Sequence, residues 1–323
     1  MKRLFYHILL VTAAVLLLPS CLVHEFPEGQ IDVDVAVTMV FNDQMTPYKT
    51  VTKADFWQIR YTLKVFEYSG DAYDRRARYT AVFYKDIDGT LDNTVHLSLP
   101  AGKYQIMAWA DYTDREGGNY FWNPEEVSDV ILAEEYSGHT EYRDAFYGGQ
   151  IVDYSAYTAS GLTAQVEIPM TRPLARYEMI ALDKDDFLDK LFKTQGTKVS
   201  YDIRDYFVQI DYQYFLPSEF NMRTGKNVNS RTGVSFRCPV LQRENGEVVM
   251  AYDFVLATER ETRIVANLTL FDPEGINLGT VRGIEVPVVR GGITTVQGKL
   301  LTAGTVSGIF IDPSFDGSFD IPL

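Results

Sequence analysis

Residues 31–41, IDVDVAVTMVF, set Ile31, Val33, Val35, Val37, Met39 and Phe41 on one side of an extended chain, with Asp32 and Asp34 on the other. Side chains of a strand point alternately to two faces, so this spacing predicts a strand with one face in a core and one in water. Residues 57–65, WQIRYTLKV, repeat the pattern: Trp57, Ile59, Tyr61, Leu63 and Val65 against Gln58, Arg60, Thr62 and Lys64. Stretches of the same kind follow at 75–84, 94–99, 103–112, 127–133 and 164–170. Turn residues separate several of them, at Asp88-Gly89, Pro100-Ala101-Gly102 and Gly117-Gly118-Asn119. Short half-buried strands with frequent turns and little helical periodicity predict an antiparallel β-sandwich over residues 31–170.

A second series begins near Thr171. Residues 174–182, 206–217, 233–238, 247–256, 263–271, 283–289 and 293–302 read as strands, with Ile264, Ala266, Leu268 and Leu270 in clean alternation. One short helix interrupts them. In KDDFLDKLF (184–192), Phe187, Leu188, Leu191 and Phe192 share a face, and Asp183 can cap the start. A second sandwich over 171–302 follows, with the boundary at IPMTRP (168–173), where prolines interrupt pairing. The chain is thus expected to be all-β: two tandem sandwiches, the second with one helix. The tail, 303–323, is apolar but broken by Pro313 and Gly317, which suits an edge or exchanged strand.

With 323 residues, two ordinary cores can be built. The formal charge of −14 repels phosphate backbones, so nucleic acid is not an expected partner. Tyr (21) and Phe (19) are plentiful, which favours strands over helices.

The N-terminus carries an address. Lys2 and Arg3 precede an apolar run from Ile8 to Leu18, too short for a permanent membrane helix and arranged like a secretory signal, 1–20. Leu18-Pro19-Ser20-Cys21 resembles a bacterial lipobox, with Pro19 a departure from it. The resemblance implies a lipid on Cys21, a tether over 21–30, and an outer-membrane lipoprotein at the cell surface; an ordinary signal peptide or signal anchor is the alternative. Acyl chains add ~0.8 kcal/mol per buried methylene, so two or three hold a soluble domain on a membrane. Cys238 would then be the remaining cysteine. It alternates with Val234 and Phe236, as a buried structural thiol would.

Catalytic signatures are lacking. His24, His96 and His139 have no zinc-binding spacing, and no nucleophile elbow, P-loop or dinucleotide fingerprint occurs. Asp86, Asp88 and Asp92, and Asp312, Asp316 and Asp320, lack the ligand order of a calcium loop and fit turns better. No enzyme activity, metal or cofactor is expected. A possible ligand loop is GGNYFWNPEE (117–126), where Tyr120, Phe121 and Trp122, near Trp109 and Tyr112, could stack on sugar rings. The competing and favoured reading has these rings plugging the sandwich.

Several separated segments, IPMTRPLARYEMIALD (168–183), YFLPSEFNMRTGKNVNSRTGVSF (214–236) and VPVVRGGITTVQGKLLT (286–302), resemble fimbrillin-like lipoproteins of the Bacteroidetes. TEYRDAFYGG (140–149) and GIFIDPSFDGSF (308–319) do so as well. The closest resemblance is to a domain family of unassigned function in that group, related to FimA/Mfa-type fimbrial subunits and anchor proteins. It implies transthyretin-like sandwiches, export as a lipoprotein, a place in or at the base of a pilus, and partners that are other fimbrial-type subunits engaged by strand exchange. The donor would be the tail from Thr305 to Ile321; pairing of that tail within its own chain is the equal alternative. A stand-alone surface protein binding glycan or a host ligand is the other functional expectation.

Overall fold

The computed structural model describes residues 31–41, 56–69, 72–73, 76–87, 90–158, 161–195, 202–302 and 318–320. Cys21, His24, Asp88, Asp312 and Asp316 lie outside them. In chain order the first part contains β1 (Asp32–Phe41), β2 (Trp57–Ser69), β3 (Ala72–Tyr73), β4 (Tyr79–Asp86), β5 (Asn93–Pro100), β6 (Lys103–Asp114), β7 (Trp122–Asn123), β8 (Val130–Leu132), β9 (Ala145–Asp153) and β10 (Thr163–Met170). The second contains β11 (Leu174–Ala181), the helix α1 (Lys184–Gln195), β12 (Phe207–Tyr212), β13 (Leu216–Asn221), β14 (Lys226–Arg231), β15 (Ser235–Pro239), β16 (Leu241–Gln242) and β17 (Val248–Leu256). It continues with β18 (Thr262–Phe271), β19 (Asn277–Val288), β20 (Ile293–Gly298) and β21 (Ser318–Asp320). The fold is all-β with one α-helix among the described residues.

The two parts share one topology. In the first, β1 lies between β5, antiparallel, and β10, parallel; in the second, β11 lies between β17, antiparallel, and β20, parallel. The facing sheets run β4-β2-β6-β9 and β15-β12-β18-β19, with the short β3 beside β4 on the same edge of β2. Each sheet pair encloses its own core. Val33, Val35, Val37 and Met39 of β1 meet Ile59, Tyr61, Leu63 and Val65 of β2. Tyr177 and Met179 of β11 meet Val208, Ile210, Phe236 and Cys238. Burying each such aliphatic side chain contributes ~1.5–3 kcal/mol, which is what the alternation in the sequence secures.

A third core joins the halves. The excursion between β6 and β9 supplies β7 and β8, and the excursion between β12 and β15 supplies β13 and β14. These four form one sheet, β14-β13-β8-β7, whose middle pairing is Val130↔Phe220 and Ile131↔Glu219. Beneath it pack Trp109, Phe121, Trp122 and Leu132 from one half and Leu174, Phe220, Phe254 and Leu256 from the other.

Three local expectations change. The polar face of β2 is largely covered: Gln58, Arg60 and Thr62 are buried and Lys64 is half-buried. Residues 117–125 cover it, and Arg60 is bonded into that cover. In α1, Phe187 and Leu191 are buried and Leu188 packs against them, but Phe192 is 56% exposed. The carbonyl of Asp183 accepts the first helical bond, from the Phe187 N–H, while its carboxylate accepts from the N–H groups of Leu301 and Thr302 at 3.2 and 2.7 Å. Asp183 therefore ties the end of the second sandwich to its start.

Candidate functional site

The junction is held by ions and phenols that the sequence scatters over a hundred residues. Arg143 ends a 3-10 turn, Glu141–Arg143, that Thr140 caps by accepting from the Tyr142 N–H. Its guanidinium lies 3.7 Å from the centroid of the Tyr136 ring and 3.5 Å from Asp253, and it donates to the carbonyl of Phe254 at 3.1 Å. Tyr136 and Tyr212 each donate to Asp253 Oδ2 at 2.6 Å. Since Tyr212 spends its proton there, Tyr177 donates to Tyr212, at 2.8 Å. Burial pushes all three phenols well above their usual range, so they stay neutral donors.

Two more pairs cross or flank the same seam. Arg172 grips Asp144 through Nε and Nη2 at 2.8 Å each, both residues buried. Arg176 reaches Glu141 at 2.9 Å and also Glu178, which receives Arg243 at 2.8 Å. Burial alone would raise the Glu178 carboxyl, but the two arginines outweigh it and hold the group below its usual value. Such pairs add little net stability over apolar residues yet make separation of the halves costly, because either charge would be left buried alone.

Sheet edges differ in how open they are. Beyond β17 the sheet is closed by the two-residue β16. At the opposite end, β20 receives β21 in parallel register, Thr295↔Ser318, Val296↔Phe319 and Gln297↔Asp320. The described part of the tail thus pairs within its own chain. Its point of departure is fixed, because Leu300 and Leu301 are buried and Thr302 is clamped to Asp183. In the first sandwich, β4 is an edge strand with Val82 and Tyr84 47% and 46% exposed on its outer face.

The three rings of the proposed ligand loop separate. Tyr120 is 43% exposed and packs edge-on against Trp57. Phe121 and Trp122 are 2% and 1% exposed. Trp122 Nε1 donates to the Arg143 carbonyl at 3.0 Å, and its ring meets Trp109 edge-on. A three-ring stacking platform is therefore not present; two of the rings belong to the third core. His96 is exposed on β5, and Cys238 is buried, its thiol raised by burial. Asp86 pairs with Arg115 and Asp92 accepts from the Phe41 N–H at 3.0 Å, as turn and edge residues do. Among the described residues no group of three or more His, Cys, Asp or Glu is placed to hold a metal ion, and no helix is long and apolar enough to cross a membrane.

The chain belongs to DUF6562, a family of unknown function, whose model matches residues 28–322. A search of curated proteins found no match. Among solved structures it is similar to a candidate cell adhesion protein from Bacteroides ovatus, at TM-score 0.45 and 12% identity over 85% of this chain and 95% of that one. It is similar also to the fimbrial anchor protein Mfa2 from Porphyromonas gingivalis, at 0.38 and 12% over 76% and 81%. A third is a candidate polysaccharide-binding protein from Bacteroides thetaiotaomicron, at 0.41 and 13% over 77% and 79%.

Proposed function

We propose that this chain is a lipid-anchored structural protein of the cell surface, a fimbrial subunit or anchor that works by assembly with other proteins. Cys21 carries the lipid, residues 21–30 are the tether, and the two sandwiches, 31–170 and 171–302, are the working body. The tail, 303–323, is the assembling element. The observation that carries this reading is the edge of β20, which takes an extended segment through three register pairs while the tail starts from a fixed point at Thr302. Fifteen residues, 303–317, can span at most ~50 Å when fully extended. An unpaired strand edge offers a row of backbone donors and acceptors, and alternate side-chain pockets add selectivity. Exchange of the tail between copies uses the contact that β21 makes within one chain.

Mixing tests it. A chain with Thr295→Cys and a second chain with Ser318→Cys are combined and oxidised. Exchange yields a disulfide-linked pair of the two species. If bridges form only when both substitutions sit in one chain, the tail stays at home and exchange is wrong. For the anchor, Cys21→Ser is expected to move the protein from the membrane fraction to the soluble one.

A further inference from the structure

We infer that the outer face of β2 and β4, under the 117–125 loop, is a binding site for a neutral saccharide ring. A pocket of about 280 Å³ lies there, near the lower end of the ~300–1,000 Å³ typical of small-ligand sites, which suits one ring. Its floor is a ladder, with Arg60, Thr62 and Lys64 on β2 opposite Tyr84, Val82 and Thr80 on β4. Its roof comes from the loop, through Asn119 and Asn123 among others. Position 117 shapes one wall. Gly117 has φ +77°, and a Cβ there would press on the Tyr84 hydroxyl, so glycine lets the loop close onto that ring.

The charges around the pocket balance one another. Arg60 donates to both oxygens of Asp111 at 2.9 and 2.6 Å, to Asn119 Oδ1 at 2.7 Å and to the Trp122 carbonyl at 2.8 Å. Lys64 donates to the carbonyl of Glu125. Arg60 is matched by the Asp111 carboxylate, and the Lys64 ammonium shares the pocket lining with Glu125, so cationic and anionic side chains balance and little net positive charge is left for a phosphate or sulfate. Beside these balanced charges stand neutral polar groups. The hydroxyl of Thr62, a residue 5% exposed, has no hydrogen-bond partner, an arrangement that costs ~1–3 kcal/mol unless something fills it. Asn119 and Asn123 use their oxygens, toward Arg60 and toward the Glu125 N–H, which leaves each amide NH2 to donate. The exposed face of Tyr84 beside Val82 gives the apolar surface on which the C–H side of a sugar ring packs. A buried acceptor and donor, two amides and an aromatic wall match a polyhydroxyl ring. The loop that carries Tyr120, Phe121 and Trp122 contributes to this pocket through its asparagines. This site is independent of tail exchange.

Saturation-transfer NMR on the full chain in detergent tests the inference with three neutral probes: methyl β-D-galactopyranoside, methyl α-D-mannopyranoside and N-acetyl-D-glucosamine. N-acetylneuraminic acid serves as the charged probe. At least one neutral ring should receive saturation, and N-acetylneuraminic acid should receive less. Tyr84→Ala should cut the signal at least about fivefold, as loss of a stacked ring does. Thr62→Val should also lower it while leaving the thermal midpoint unchanged or higher, so a loss there is not unfolding. Tyr214→Ala, an exposed aromatic elsewhere, should keep it. Silence from all three neutral rings would overturn the inference, as would a stronger signal from N-acetylneuraminic acid or unchanged signals in both Tyr84→Ala and Thr62→Val.

Discussion

Arg143, from the first half of the chain, stands 3.5 Å from Asp253, from the second, and neither side chain is more than 2% exposed. The distance is that of an ion pair shared between two modules. Removing the cation leaves Asp253 buried with only its phenol and backbone donors. Arg143→Ala is expected to cost ~3–5 kcal/mol in urea unfolding. A cost below ~1 kcal/mol would mean that the seam is held by the third core alone.

Glu178 gives a pH dependence with a definite sign. Arg176 and Arg243 hold its carboxyl below the ordinary value of 4.5, so around that pH the folded chain binds fewer protons there than the unfolded one. Its contribution to stability is complete above the ordinary carboxylate range and is lost as pH falls through the lower, folded value. Glu178→Gln should therefore cost about 1–3 kcal/mol at neutral pH, and the gap from the parent should close on acidification. A gap that stays constant down to about pH 2 would contradict the assignment.

Neighbouring rings in the 120–122 loop should behave oppositely. Trp122→Ala empties a site in the third core and is expected to cost ~3–5 kcal/mol. Tyr120→Ala, on an exposed ring, should stay within about 0.5 kcal/mol of the parent. Chemical denaturation of the two variants separates them.

Gly148 matters for closeness. A Cβ there would stand 2.5 Å from the Pro169 carbonyl oxygen and 2.7 Å from Ile168 Cγ2, where β9 passes against β10. Gly148→Ala should lower stability by ~1–3 kcal/mol, read as a drop in the thermal midpoint. An unchanged midpoint would show that the two strands can part at no cost.

Legibility followed periodicity. β1, β12 and β18 alternate apolar and polar residues, and their buried faces are the ones the sequence marks. The helix was visible from Phe187 and Leu191 for the same reason. β9 was not, because Gly148 and Gly149 dilute the alternation of AFYGGQIVD. β13 and β14 escaped because LPSEFN and KNVNSR are polar strands, supported by a partner sheet from elsewhere in the chain. Arg60 and Thr62 looked like a wet face since nothing local shows that residues 117–125 fold back over them. The ion pairs of the seam join residues such as Arg172 and Asp144, and a charge in sequence carries no sign of its distant partner. Of the candidate sites, the thiol of Cys238 could be placed from its strand phase, whereas the pocket under Asn119 could not.

The matching strand orders of the two halves throw one difference into relief. The same path is followed twice, and the two excursions sit at different points along it, between β6 and β9 in the first half and between β12 and β15 in the second. The sheet they build together lies outside the shared path, and it is the part of the molecule that fastens two like sandwiches into a single body.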